Sequence, residues 1–195
     1  TTLGICDTTE VIITVLPQDT VPTLPVCDTC TETLCLDTIF NITPGHWTLC
    51  DGTQQATSGL GTYSIDSTTG CVTYTSNGII GSDTLCIIVC DTINNICDSV
   101  PVVIQITPTV DVVEDTISIG TTDSICVQIE AGMSADNVQI VYCDGTIDNI
   151  TTPTTNINGN CINVTYTGTN IGEDKFCVVV CDNTLGICDT TEVII

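Results

Sequence analysis

The second half of the chain repeats the first half at an offset of 91 residues. The repeat relates six pairs of cysteines, with shifts of one or two residues in two of them: Cys35/Cys126, Cys50/Cys143, Cys71/Cys161, Cys86/Cys177, Cys90/Cys181 and Cys97/Cys188. Self-similarity at one period is the sequence signature of tandem structural units. The sequence therefore predicts two homologous domains of about 91 residues each.

The segment TLGICDTTEVII occurs twice, at Thr2–Ile13 and at Thr184–Ile195. The copies are 182 residues apart, which is twice the repeat offset, so the first copy takes the position of the last strand of a preceding repeat. We therefore expect residues 1–15 to belong to a preceding repeat in a covalent array, with domains at 16–107 and 108–195. The alternative is a donor strand that completes a neighbouring subunit, as in a pilus joined by strand exchange.

Short runs rich in Thr, Val and Ile, bounded by Gly, Asn, Asp or Pro, predict β-strands throughout the chain. Six or seven such runs in each repeat predict an all-β fold of two tandem, disulfide-rich β-sandwich domains. The order Cys35, Trp47, Cys86 resembles the immunoglobulin pattern, in which a tryptophan covers an inter-sheet disulfide. The second repeat departs from this pattern, because Ile140 aligns with Trp47.

The charge and the hydrophobic content exclude several classes of protein. The chain has 24 acidic residues against one Lys and a formal net charge of −23, so nucleic acid is not an expected partner. Its 42% of hydrophobic residues supply enough apolar surface for a core, which disfavours disorder. No apolar run reaches the length that spans a bilayer, so membrane insertion is not expected.

The chain contains fifteen cysteines but only one histidine. Metal sites that use cysteine commonly use histidine as well, whereas disulfides persist in oxidising compartments. The cysteine content therefore predicts a disulfide framework and an extracellular or cell-surface location.

The two segments GSDTLCIIVCDTINNICDSVPVVIQI and GEDKFCVVVCDNTLGICDTTEVII resemble the C-terminal hairpin of bacterial Ig-like (cadherin-like) tandem repeats. Such repeats occur in very large surface and secreted adhesins and fibre proteins. The resemblance covers the last third of each domain strongly and the remainder weakly. It implies a sandwich fold in an extended extracellular array, and it implies neither a ligand nor catalytic residues.

Hairpin geometry predicts two of the disulfides, Cys90–Cys97 and Cys181–Cys188, because cross-strand neighbours lie near bonding distance. The immunoglobulin pattern implies Cys35–Cys86 and Cys126–Cys177. The remaining cysteines then pair as Cys50–Cys71, Cys143–Cys161 and the local Cys27–Cys30. Cys6 is left to pair with the preceding domain.

The sequence offers little support for an enzyme or a cofactor. The Cys27–Cys30 pair has the spacing of a redox motif, but its neighbours are acidic and would not lower a thiol pKa. Neither Lys175 nor His46 has a partner that predicts an isopeptide bond or a catalytic triad. Calcium is conceivable near Asp111, Glu114 and Asp115, yet a solvated acidic surface explains these residues better.

Glycosylation is the sharpest hypothesis about modification. Asp followed by Ser or Thr and then an apolar residue or Thr resembles a bacterial O-glycan acceptor motif, and its hydroxyl residues are Thr8, Thr20, Thr38, Ser67, Thr84, Thr92, Ser99, Thr116, Ser124 and Thr190. Asn-X-Thr sequons occur at Asn41, Asn149 and Asn163. Covalent glycans are therefore expected partners, beside copies of the protein itself along a fibre.

These expectations describe a structural repeat of an extracellular filament, built as a mechanical spacer. An alternative from the binding class is an adhesin that recognises a glycan or a protein through its loops. The scarcity of aromatic residues in the loops disfavours that alternative.

Overall fold

The structure is a computed structural model, and it describes residues 21–40, 45–93, 96–143 and 151–195. Several predictions fall outside these ranges: the strand of a preceding repeat at 1–15, with Cys6 and Thr8, and the sites Thr20, Asn41 and Asn149. No helix among the described residues is long and apolar enough to cross a membrane.

The described residues form fifteen β-strands and one short helix, α1, at Leu36–Phe40. The first eight strands are β1 Thr23–Cys27, β2 Thr31–Cys35, β3 Gly45–Leu49, β4 Gln55–Thr57, β5 Gly61–Ile65, β6 Cys71–Ser76, β7 Gly81–Asp91 and β8 Ile96–Thr107. The other seven are β9 Asp111–Glu114, β10 Thr122–Gln128, β11 Asn137–Val141, β12 Thr154–Asn158, β13 Cys161–Thr167, β14 Lys175–Asp182 and β15 Ile187–Ile194.

The first sandwich consists of the sheets β1-β8-β7-β3 and β2-β6-β5-β4. Strand β1 runs parallel to β8, and the other pairs are antiparallel. Alternate residues of β8, from Val100 to Ile106, are buried because successive side chains of a strand point to opposite faces. These residues join one hydrophobic cluster between the two sheets, together with Trp47 and Tyr74.

The second sandwich repeats this arrangement with the sheets β9-β15-β14-β11 and β10-β13-β12. Strand β9 again runs parallel to β15, the last strand of the unit. A second hydrophobic cluster, which includes Tyr166 and Phe176, lies between these sheets. The strand order and the parallel first-to-last pairing confirm the predicted all-β, immunoglobulin-like tandem fold. The domain bounds at 16–107 and 108–195 stay predictions.

The place of Trp47 in the second sandwich is taken by Val138, and the predicted alignment with Ile140 is wrong. Trp47 lies opposite Val89 on β7, and Val138 lies opposite Val180, the repeat equivalent of Val89, on β14. The extra residues of the second repeat are inserted after β11, so they do not shift the strand itself.

Candidate functional site: a disulfide framework and an end-to-end junction

Three of the predicted disulfides are present. Cys90–Cys97 and Cys181–Cys188 join residues that face each other directly across their hairpins, with Cα–Cα distances of 4.0 and 4.1 Å. The third, Cys27–Cys30, closes the turn between β1 and β2. Each of these bridges holds the ends of two consecutive strands together.

The inter-sheet bridges implied by the immunoglobulin pattern, Cys35–Cys86 and Cys126–Cys177, are wrong. Cys35 bonds to Cys71, which faces it across strands β2 and β6, and Cys126 bonds to Cys161 across β10 and β13. Cys86 is exposed, while its neighbours on β7 point into the core, so its side chain points away from the opposite sheet.

The predicted bridges Cys50–Cys71 and Cys143–Cys161 are also wrong, and each would have joined two different sheets. Cys50 follows β3 and bonds to Cys86 on the adjacent strand β7, where its backbone N–H donates to the Cys86 carbonyl at 3.0 Å. Cys143 follows β11 and bonds in the same way to Cys177 on β14. The bridges therefore link strands that are neighbours in one sheet.

The disulfides of the described residues cross-link every sheet to itself. The sheet β2-β6-β5-β4 and the sheet β10-β13-β12 hold one bridge each, and the other two sheets hold two each. None of these six bridges passes through a hydrophobic cluster. These six bridges thus prevent neighbouring strands from separating. The sheets are held to each other by apolar packing, with the local bridge Cys27–Cys30 in the turn that joins the two sheets of the first sandwich.

The two sandwiches meet at a junction made of loops. The backbone N–H of Ile80, in the loop after β6, donates to the carbonyl of Ala131, in the loop after β10, at 2.7 Å. A Cβ on Gly132 would lie 2.5 Å from the Ile80 carbonyl oxygen, so the two loops are in close contact there. Met133 and Ile187 of the second sandwich pack against the hydrophobic cluster of the first.

Carboxylates surround this junction, and their mutual repulsion destabilises it. Burial raises the pKa of Glu130, and the charges of Asp28, Asp189 and Asp111 raise it further. Burial likewise raises the pKa of Asp189, with Asp111 and Asp28 adding to the shift. The junction is therefore stabilised by apolar packing and backbone hydrogen bonding against the repulsion of like charges.

Each sandwich also buries one tyrosine whose hydroxyl donates to a carboxylate. Tyr74 donates to Asp83 at 3.1 Å, and Tyr166 donates to Asp115. Burial, supported by the negative charge of Asp83, raises the pKa of Tyr74 to about 12. Burial, the hydrogen bond to Asp115 and the charge of Asp115 raise the pKa of Tyr166 as well.

These two tyrosines predict a loss of stability at alkaline pH. A free tyrosine ionises near pH 10, so the unfolded chain loses these protons first as the pH rises from about 10 to 12. The free energy of unfolding should then fall by about 1.4 kcal/mol per pH unit for each tyrosine and be unchanged below pH 10. Urea titrations at pH 9 to 12, completed within minutes to limit disulfide exchange, measure this slope. Tyr74→Phe should remove the contribution of one tyrosine to this slope. An unchanged slope in this variant would contradict the raised pKa of Tyr74.

Eight of the ten predicted O-glycan hydroxyls lie on described residues: Thr38, Ser67, Thr84, Thr92, Ser99, Thr116, Ser124 and Thr190. All are exposed except Ser67 and Thr190, which are half-buried. In five of these motifs the Asp carboxylate accepts a hydrogen bond from the backbone N–H of the following residue, at 2.6–2.9 Å. The sequon residue Asn163 is half-buried on β13, opposite Cys126 and Asn156. Modification at these sites stays a prediction.

The remaining candidates are dispersed. Lys175 forms a salt bridge with Glu192 at 3.5 Å, and His46 is exposed on β3. Asp111 and Glu114 lie at opposite ends of β9. Within the described ranges, one group of three potential metal ligands lies close together, namely Cys35, Asp37 and Cys71, and two of these are joined in a disulfide.

Comparison with known proteins yields matches only among solved structures. No protein-family model and no curated protein matches the sequence. Similar structures include the I-band fragment I67-I69 from titin, at 10% identity and a TM-score of 0.39, over 89% of this chain and 60% of that chain. The protocadherin gamma B7 extracellular cadherin domains 1-4 match at 10% identity and a TM-score of 0.33, over 89% and 48%.

The endo-fucoidan hydrolase MfFcnA4 from glycoside hydrolase family 107 also matches, at 10% identity and a TM-score of 0.33, over 89% of this chain and 27% of that chain. The chain thus spans less than two thirds of each of these three chains. Similarity at this level transfers no activity or ligand.

Proposed function

We propose that the chain is a load-bearing spacer in an extracellular or cell-surface filament. One observation carries the proposal: the first and last strands of each sandwich are parallel neighbours, in sheets that are cross-linked to themselves. The chain enters a sandwich at one end of this pair and leaves it at the other. A pulling force therefore acts along the strands and loads their hydrogen bonds together rather than one after another.

The disulfides support the same role by limiting extension. The bridge Cys35–Cys71 encloses 36 residues and Cys126–Cys161 encloses 35, so these stretches cannot lengthen fully even if a sandwich opens. Oxidised cysteines in this number fit a compartment outside the cytosol. The charge of −23 favours solubility of a long array, and the exposed Asp-Ser and Asp-Thr hydroxyls offer positions for covalent glycans.

Immunogold electron microscopy on the source cells tests this proposal. Antibodies raised against the chain should label filaments outside the cell at a regular axial interval, and prior incubation with the purified chain should abolish the label. Label confined to the cytoplasm would contradict the proposed function.

A further inference from the structure

Two isoleucines at the same position of the repeat have opposite exposure. Ile80 and Ile171 are 91 residues apart, and each precedes a glycine with an unusual positive φ, 159° at Gly81 and 151° at Gly172. A glycine of similar φ therefore follows each isoleucine, although Gly81 begins β7 and Gly172 lies before β14. Ile80 is 2% exposed, whereas Ile171 is 90% exposed.

The second sandwich contacts the backbone of Ile80, whose side chain belongs to the first hydrophobic cluster. The loop after β10 lies on it, with the hydrogen bond from Ile80 to Ala131 and the close approach of Gly132. Ile171 occupies the equivalent end of the second sandwich, where the described residues place no such loop over it. It is the most exposed of the large hydrophobic side chains in the described ranges.

Ile171 is accompanied by a second exposed isoleucine, Ile119, in the turn after β9. The two turns are adjacent, because Gly120 and Gly168 are joined by a backbone hydrogen bond of 2.9 Å. The repeat equivalent of Ile119 is Asp28, which is buried near the junction. We name Ile119 and Ile171 the tail patch.

The opposite end of the first sandwich is also apolar. Ile39 of α1 and the hairpin residues Ile93 and Ile96 are exposed there. Ile96 is the repeat equivalent of Ile187, the hairpin residue of the second sandwich that packs against the first hydrophobic cluster. We name Ile39, Ile93 and Ile96 the head patch.

We propose that the tail patch of one copy of the chain docks on the head patch of a second copy, in the manner of the internal junction. The inference rests on the proposed function, since it states how successive copies of the filament meet. The two patches differ and lie at opposite ends, so the contact is heterologous and leads to an open chain of copies rather than a closed dimer. The exposed isoleucines at both ends supply apolar surface for such a contact.

The contact should be weak at low ionic strength and stronger in salt. Carboxylates lie beside both patches, Asp37 and Asp98 at the head and Glu173 at the tail, so two copies repel each other. Salt near 1 M shortens the Debye length to about 3 Å and removes most of this repulsion between exposed charges. A contact made of ion pairs would show the opposite dependence.

Sedimentation velocity on the oxidised chain, over a concentration series in about 0.01 M and about 1 M NaCl, tests the inference. The chain should form a ladder of linear oligomers in high salt. Ile171→Asp and Ile96→Asp should each be monomeric alone, and their mixture should form dimers only, since one intact tail then meets one intact head. Ile157→Asp, a change of a comparably exposed residue on β12, is the control and should associate like the natural chain.

Three results would overturn the inference: a natural chain that stays monomeric in high salt, end variants that associate as it does, or a mixture that stays monomeric. Strand exchange through residues 1–15 would give polymers that ignore Ile171→Asp. Ile171→Asp and Ile96→Asp are both at exposed positions, and unchanged thermal melting would exclude unfolding as the cause of lost association. Monomeric behaviour together with immunogold-labelled filaments would refute this contact and leave the proposed function standing.

Discussion

Reduction of the disulfides should unfold the chain at room temperature. The four long bridges close loops of 36, 36, 35 and 34 residues. Loop entropy assigns each about 4 kcal/mol of stability, and each sandwich contains two of them. The resulting loss of about 8 kcal/mol is comparable with the whole stability of an ordinary domain, about 5–15 kcal/mol. Urea unfolding followed by circular dichroism, with and without a strong thiol reductant, measures the effect.

Paired substitutions separate the contributions of individual bridges. Cys35→Ser with Cys71→Ser should cost about 4 kcal/mol, whereas Cys90→Ser with Cys97→Ser, which opens a loop of 7 residues, should cost about 2 kcal/mol. The single variant Cys86→Ser should make Cys50 alkylatable. A free Cys35 in that variant would instead support the inter-sheet pairing.

Trp47→Ala should produce the second large loss, about 3–5 kcal/mol in the first sandwich. Trp47 is fully buried, and its ring lies over Gly70, where an added Cβ would come within 2.5 Å of the indole. Alanine would leave a cavity, because the surrounding structure relaxes only partially around a deleted side chain. Urea unfolding of the oxidised protein measures the loss.

Trp47→Phe is the matched control, and it should cost much less. The indole Nε1 is buried and has no hydrogen-bond partner among the described residues, and an unsatisfied buried donor costs about 1–3 kcal/mol. Phenylalanine removes that donor and keeps most of the apolar ring, so the two effects offset each other. Equal losses for the alanine and phenylalanine variants would contradict this description of the site.

The strands could be predicted from sequence because alternation of Val, Ile and Thr encodes the buried face directly. Leu85, Ile87 and Val89 are buried in turn along β7, and the same alternation places Cys86 on the outer face. That parity excludes a bridge from Cys86 across the core. The pairings implied by the immunoglobulin pattern ignored this alternation, and four predicted pairings were wrong as a result.

The junction could not be predicted, because its residues carry no pattern of their own. Ile79 and Ile80 follow a glycine in a loop, where two consecutive apolar residues do not indicate which surface covers them. The comparison of Ile80 with Ile171 becomes informative only when the exposure of both is known. Contacts between units depend on how the sandwiches stack, whereas sequence periodicity indicates only which strand faces are buried within one sandwich.

On the proposed function, the chain should resist extension in two stages. Hydrogen bonds between the parallel strands should oppose the opening of a sandwich, and the disulfides should limit the length released once it has opened. We propose that bridges within the sheets set this second stage.

Single-molecule pulling on the chain tests that claim most directly. Without reductant, each sandwich should open in one event that releases only the chain outside its bridges. With reductant, the event should lengthen by about 150–165 Å in the first sandwich and by about 140–150 Å in the second, at about 3.3–3.6 Å for each residue released. The first sandwich gains 36 residues of the long loop, 7 of the hairpin and 3 of the Cys27–Cys30 turn, and the second gains 35 and 7. Equal release with and without reductant would contradict the account.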